Sequence, residues 1–187
     1  MRCVSSTHQI EELIKKSRFI GFLMPCSSES EITKDLQQLH CQHPKASHIA
    51  FAYRVKTTKG LVIRFNDAGE PSGTAGKPIL QHLEGQELKN TLVAVVRYFG
   101  GIKLGAGGLT RAYGNTAKKV IAISEIIDYI EFATLTFKLD YSQMQGFEYQ
   151  LKKFNGNIIN QDFSDCINLI INIPAKNSRT LKRLFPD

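Results

Sequence analysis

Two glycine-rich segments constrain this chain more than any other feature. Residues 66–76 read Asn-Asp-Ala-Gly-Glu-Pro-Ser-Gly-Thr-Ala-Gly, whose three glycines and one proline exclude regular structure. Residues 100–108 gather Gly100, Gly101, Gly105, Gly107 and Gly108 directly behind Leu92 to Phe99, a dense β-branched and aromatic run that reads as a buried strand. Glycine collects where backbone turns sharply or approaches something closely. Each segment also leads into a helix. Lys77-Pro78-Ile79-Leu80 opens the first, with Pro78 tolerated in the first turn. The second is predicted from near Gly107 to about Ser124, because Leu109, Ala112, Ala117, Val120 and Ile121 fall on one stripe. Arg111, Asn115, Lys118 and Lys119 lie opposite them.

Periodicity supplies the remaining elements. The opening segment reads as a short helix from about His8 to Lys16, with Thr7 as its N-cap and Ile10, Leu13 and Ile14 on one face. A strand from Ser17 to Met24 follows. Ser28 then precedes Glu31 by the capping-box interval, and Ile32, Leu36 and Leu39 recur at helical spacing. From Ser47 to Val55 the period becomes two: Ile49, Phe51, Tyr53 and Val55 face one way, and His48, Ala50, Ala52 and Arg54 the other. Lys59-Gly60 turns this strand into a hairpin.

After about Asp128 the pattern restarts as strand, helix, strand, strand, helix. Leu135, Phe137 and Leu139 alternate with Thr134, Thr136 and Lys138, and Met144, Phe147, Leu151 and Phe154 mark the helix that follows. This βαββα order is that of a split βαβ, ferredoxin-like unit lacking its last strand. The expectation is therefore an α+β chain of two domains, 1–128 and 129–187.

Composition limits the function classes. With 42% hydrophobic and 22% charged residues among 187, the chain can bury a core without staples and is no disordered tail, fibre or coiled coil. Cys3, Cys26, Cys41 and Cys166 form no C-x-x-C pair, so reduced structural thiols are expected. No apolar run approaches the roughly 20 residues of a membrane helix, and residues 1–16 show no signal-peptide core. The expected location is cytoplasmic, with no membrane partner. Six of the seven surplus positive charges fall within residues 1–130, which favours anionic partners for that part.

The chemistry concentrates at the glycine loops. Unpaired N–H groups in the first helical turn make Gly105-Ala106-Gly107-Gly108 a plausible anion cradle, with Arg97, Lys103 and Arg111 around it in sequence. Lys118 and Lys119 extend a basic face; Gly73, Gly76, Lys77, His48 and Arg54 complete the expected anion-binding set. Neither loop is a nucleotide signature. A Walker pattern needs Gly where Pro71 stands and Ser or Thr where Pro78 stands, and a dinucleotide fingerprint needs Gly where Thr110 stands. No cofactor is expected. Asp67 and Glu70 are candidates for acid–base or metal-assisted catalysis; Asp67 is also a good turn former, and the preferred role of Glu70 is to pair with Arg97 or Arg111 and join the two loops. His40, Cys41, His43 and His48 lack metal-ligand spacing, so no metal is expected.

These residues also resemble a known family. Lys16-Ser17-Arg18-Phe19, His43-Pro44-Lys45-Ala46-Ser47-His48, Gly69-Glu70-Pro71-Ser72-Gly73-Thr74-Ala75-Gly76-Lys77-Pro78 and Val96-Arg97-Tyr98-Phe99-Gly100-Gly101-Ile102-Lys103-Leu104-Gly105-Ala106-Gly107-Gly108-Leu109 are similar to the motifs of the IMPACT/YigZ family. The resemblance covers the whole chain, more weakly after Asp128. It implies an N-terminal domain with the left-handed βαβ fold of RNase PH and a ribosomal-protein domain. It also implies a C-terminal ferredoxin-like domain similar to one in elongation factor G. Both relatives handle RNA, and eukaryotic members of the family are linked to translational control under amino-acid starvation. Ala68 stands where the family often has a second Asp, which argues against a metal site.

The resulting expectation is an RNA- or ribosome-associated binding protein in the regulation of translation, with anionic ligand held in a groove between the glycine loops. A protein partner in translational control is a further expectation. The alternative is a metal-assisted hydrolase or transferase acting on a small phosphate-bearing substrate, with Asp67 and Glu70 as ligands; the balance leans away from an enzyme.

Overall fold

In the computed structural model, which describes residues 2–186, the chain divides into two units, Met1–Tyr129 and Ile130–Asp187. The first contains β1 (Arg2–Val4), β2 (His8–Ile14), β3 (Ser17–Pro25), α1 (Glu29–Gln42), β4 (His48–Thr57) and β5 (Gly60–Asn66). It continues with α2 (Gly76–Gly85), β6 (Thr91–Tyr98), α3 (Gly105–Ala122) and β7 (Ile126–Asp128).

Five of these strands form a sheet in the order β2-β3-β6-β4-β5. Every pair in it is antiparallel, so β3 and β4, both antiparallel to β6 between them, run parallel to each other. Helix α1 connects them, which makes a split βαβ unit. The alternation read in β4 decides what covers each face. Ile49, Phe51, Tyr53 and Val55 pack with Leu36 and Leu39 or Ile32 of α1. Ala50 and Ala52 face the other way, small enough for Ile79 and Leu83 of α2 and Tyr113 of α3 to pack there. Strand β6 lies between both layers, and Leu92 through Val96 are inaccessible to solvent.

Helix α1 starts as its spacing predicts, with Ser28 Oγ accepting from the Glu31 amide at 3.2 Å. The reciprocal half of the box is displaced by one residue: the Glu31 carboxylate accepts from Ser27 N and Ser27 Oγ, each at 2.6 Å.

The structure corrects two sequence expectations here. Residues 8–14 are a strand, not a helix capped by Thr7. An interval of four residues between Ile10 and Ile14 fits either period. The deciding observation is Leu13, 73% exposed, while Ile10 and Ile14 pack against the core. Helix α3 begins at Gly105, two residues earlier than its apolar stripe indicates. The short β1–β7 ladder, which pairs Arg2 with Asp128, carried no sequence signal.

One glycine is dictated by packing. A Cβ on Gly100 would lie 1.9 Å from the Lys16 carbonyl oxygen, so the exit of β6 passes directly over the entry of β3. Gly100 N also donates to Ser17 Oγ at 3.2 Å.

The second unit runs β8 (Phe132–Leu139), a 3-10 turn at Tyr141–Gln143, α4 (Met144–Lys153), β9 (Asn157–Phe163), β10 (Ile167–Pro174) and α5 (Ala175–Leu184). Its antiparallel sheet has the order β8-β10-β9. Phe137, Leu139, Leu169 and Ile171 bury one face against Phe147, Leu151 and Leu181 of the two helices. The result is a ferredoxin-like arrangement in which no strand among the described residues occupies the outer edge of β8.

Candidate functional site

The first glycine loop closes around its own carboxylate. Asp67 accepts three backbone N–H bonds, from Gly73 at 2.8 Å, Ala75 at 3.0 Å and Gly76 at 2.8 Å. Burial alone would raise the pKa of this group; the three amides outweigh it and hold Asp67 below the ordinary carboxylate value. An anion at the start of α2 is what the unpaired amides and the helix dipole favour, and here the chain provides it. Gly73 and Gly76 are therefore corrected as ligand-binding positions, since their N–H groups already bind Asp67. Asp67 is corrected as a catalytic or metal candidate as well: its oxygens accept three amide bonds, and among the described residues it belongs to no group of His, Cys, Asp or Glu side chains that could hold a metal ion.

The two loops are joined where the sequence pairing of Glu70 leads. Arg97 Nη1 donates to Glu70 Oε1 at 2.6 Å, and Tyr113 Oη donates to the same oxygen at 2.8 Å. Burial, and then the bond to Glu70, pushes the Tyr113 phenol well above its usual pKa, so it remains a donor. Arg97 Nη2 reaches Ser17 Oγ at 3.4 Å, whereas Arg97 Nε has no hydrogen-bond partner among the described residues. His48 completes the group. Its Nδ1 lies 2.8 Å from the Ala68 carbonyl, which can only accept, so Nδ1 carries the proton. Nε2 then lies 3.8 Å from Glu70 Oε1.

Arg97 thus departs from the sequence expectation of a ligand-facing cation. A guanidinium 4% exposed on a central strand needs a counter-charge, and Glu70 is that charge.

Beside this network lies a cleft of about 400 Å³, lined by His48, Glu70 and Arg97 of the network together with Phe99, Lys103, Leu104, Gly105 and Ala106. Helix α3 begins here. No side chain caps its N-terminus and no acidic residue occupies its first turn, so the positive end of an 18-residue helix remains unanswered from within. Lys103 is exposed next to it. Phe99 is 48% exposed. The site can accept an anionic group at the helix end and a flat apolar group at the ring.

Of the expected anion-binding residues, the structure brings together His48, Arg97, Lys103 and Gly105 in this cleft. Gly107, Gly108 and Arg111 belong to the first turns of the same helix, and Arg111 is exposed. Four others are corrected. Lys118 lines a separate cleft of about 230 Å³ with His82, roughly 20 Å along α3 from Gly105 by helical rise; burial, and then the Lys118 charge, lowers the His82 pKa. Lys119 forms an ion pair with Glu12 of β2. Arg54 fastens the end of α2, donating from Nη1 to Leu88 O at 2.9 Å and Leu83 O at 3.4 Å. Arg54 is also six residues along β4 from His48, which places it about 20 Å away. Lys77 is exposed in the first turn of α2 and does not line the cleft.

Among the described residues no group of three or more His, Cys, Asp or Glu side chains is arranged to hold a metal ion. No helix of the described residues is long and apolar enough to cross a membrane. Sequence reasoning missed Phe99, Leu104 and Ser17 as parts of the site. An aromatic directly before two glycines was the available signal for Phe99, because a side chain at a strand's end escapes the packing that buries its neighbours.

Comparison with known proteins follows the same division of the chain. Residues 15–121 match the family model of the Impact N-terminal domain, and residues 137–187 match a domain of unknown function, DUF1949. An IMPACT family member of Haemophilus influenzae is 38% identical over 167 residues, 89% of this chain and 81% of that protein. The IMPACT family member YigZ of Escherichia coli is 34% identical over 167 residues, covering 89% and 82% respectively. A crystal structure of a hypothetical protein superposes with a TM-score of 0.73 at 31% identity, over 98% of this chain and 89% of the other.

Proposed function

The chain belongs to the IMPACT family, and from that premise we propose that it is an RNA- or ribosome-associated binding protein acting in the regulation of translation. The resemblance to folds that handle RNA sets the class of ligand. One observation of this molecule carries the reading: the uncapped start of α3, Lys103 and the exposed Phe99 ring border one cleft. Unpaired RNA is held by both kinds of contact, a cationic seat for phosphate and a flat apolar surface for a base. The phosphate-facing groups are Lys103 and the α3 amides, with Arg111 nearby on the exposed side of that helix.

Salt titration tests the proposal. If the protein neutralises Z phosphates, log affinity for RNA falls linearly with log salt, with a slope of about −0.7Z for single strands. Lys103→Ala should weaken binding and make that slope shallower by about 0.7. Absence of binding at low salt, or a flat salt response, overturns the reading. No observation favours the metal-assisted hydrolase or transferase: Asp67 is closed on amides, and Glu70 is held by Arg97 and Tyr113.

A further inference from the structure

The Arg97 guanidinium lies over two rings at once, 5.5 Å from the centroid of Phe19 and 5.4 Å from that of Phe99. Phe19 is inaccessible and Phe99 is 48% exposed, so one cation neighbours a ring in the core and a ring at the cleft. Arg97 is itself fixed by Glu70 and Ser17. Phe99 thus has a fixed neighbour and still leaves about half of its surface open at the cleft, where a flat group can cover it. We infer that this group is the base of one unpaired nucleotide, stacked on Phe99, with its phosphate at Lys103 and the first turn of α3.

The inference rests on the RNA-binding reading above and specifies which part of the RNA enters. Paired bases already have neighbours on both faces, so a ring set in a cleft can stack only on a base outside the duplex. A volume of about 400 Å³ is near the lower limit of small-ligand pockets, about 300 to 1,000 Å³. That volume is on the scale of one nucleotide. The walls match such a ligand: Leu104 and Pro71 are apolar, while Lys103 and Gly105 bring a cation and the start of α3. Buried polar atoms without partners are uncommon in folded proteins, and Arg97 Nε is one of only two such side-chain atoms among the described residues. It belongs to a residue that lines the cleft and neighbours Phe99. The same chemistry is available from a free nucleotide and from an RNA strand, and the test separates them.

The experiment is fluorescence anisotropy with the full chain and four probes. They are a short labelled single-stranded RNA, the same strand fully annealed, an abasic strand of equal length, and uridine 5′-monophosphate as competitor. Expected is a preference of about tenfold or more for the single strand over both the duplex and the abasic strand, the scale of one base–aromatic stack. Phe99→Leu, which retains an apolar side chain over Arg97 without a flat face, should lose about that factor on the single strand only. Phe99→Tyr should keep it. Equal binding of single-stranded, duplex and abasic probes overturns the inference while leaving RNA binding intact, and the abasic comparison needs no variant. Binding of the free nucleotide as tight as that of the strand retains the stacked nucleotide and overturns the RNA reading. No binding of any probe overturns both.

Discussion

Arg97 Nη1 lies 2.6 Å from Glu70 Oε1, with the two side chains only 5% and 3% exposed. This contact joins the end of β6 to the first glycine loop, 27 positions apart in sequence. Removing one partner strands a buried charge. Glu70→Gln should therefore destabilise the protein by about 3–5 kcal/mol in urea denaturation. The double variant Glu70→Gln, Arg97→Met should lose less than the two single losses together, because no charge is left unpaired. Simple additivity would show that the pair is not coupled.

Asp67 makes stability depend on acid pH. Its native pKa is depressed, so its contribution is present above the unfolded carboxylate value of about 3.9 and is lost as pH falls through the lower native value. Asp67→Asn should lower stability at neutral pH and leave a flatter curve below about pH 4. Melting temperatures recorded across the acid range check both parts.

Two glycines of the second loop should respond oppositely to the same change. Gly100→Ala drives a Cβ to 1.9 Å from the Lys16 carbonyl oxygen, and the β3–β6 junction cannot absorb it; loss of the folded state by circular dichroism is expected. Gly107 is helical, exposed, and has nothing within 4 Å of an added Cβ. Gly107→Ala should stabilise the protein by about 0.5–1 kcal/mol. If the bare first turn serves ligand approach, the same variant binds RNA less tightly in the anisotropy assay.

The thiols should separate by burial. Cys26 is buried, and desolvation, followed by the nearby Glu31 and Asp35 carboxylates, pushes it up to about 12. Cys41 is exposed on α1. Iodoacetamide at mildly alkaline pH should label Cys41 and spare Cys26 until denaturant is added, as read by mass spectrometry of peptides.

Much of this architecture was legible because single residues committed to one period. The alternation of Ile49, Phe51, Tyr53 and Val55 decided β4, and the Ser28–Glu31 interval decided the start of α1. The βαββα order of the second unit followed from the switch between Leu135-Phe137-Leu139 and Met144-Phe147-Leu151. Residues 8–14 read as a helix because Ile10 and Ile14 satisfy both periods; the pairing of β2 with β3 and the exposure of Leu13 make them a strand. The site was legible as chemistry and less so as geometry. The Glu70–Arg97 pair could be proposed from a buried strand arginine in need of a counter-charge. The Asp67 knot could not, since it depends on the chain folding back over nine residues to bring the Gly76 amide to the carboxylate. Lys118 and Lys119 share the exposed side of α3 with Arg111, but helical rise carries them away from the cleft and toward other partners.

The closure of α2 by Asp67 makes the two glycine loops unequal. One is pinned on its own carboxylate and the other opens to the cleft, so under the proposed RNA-binding reading a phosphodiester strand would meet one anchoring point and one ring at unlike positions. A strand seated on that pair would have its 5′-to-3′ direction set by the asymmetry. Threading it backwards would place the base where the anchor stands, so the polarity of the strand would be fixed without any base being read.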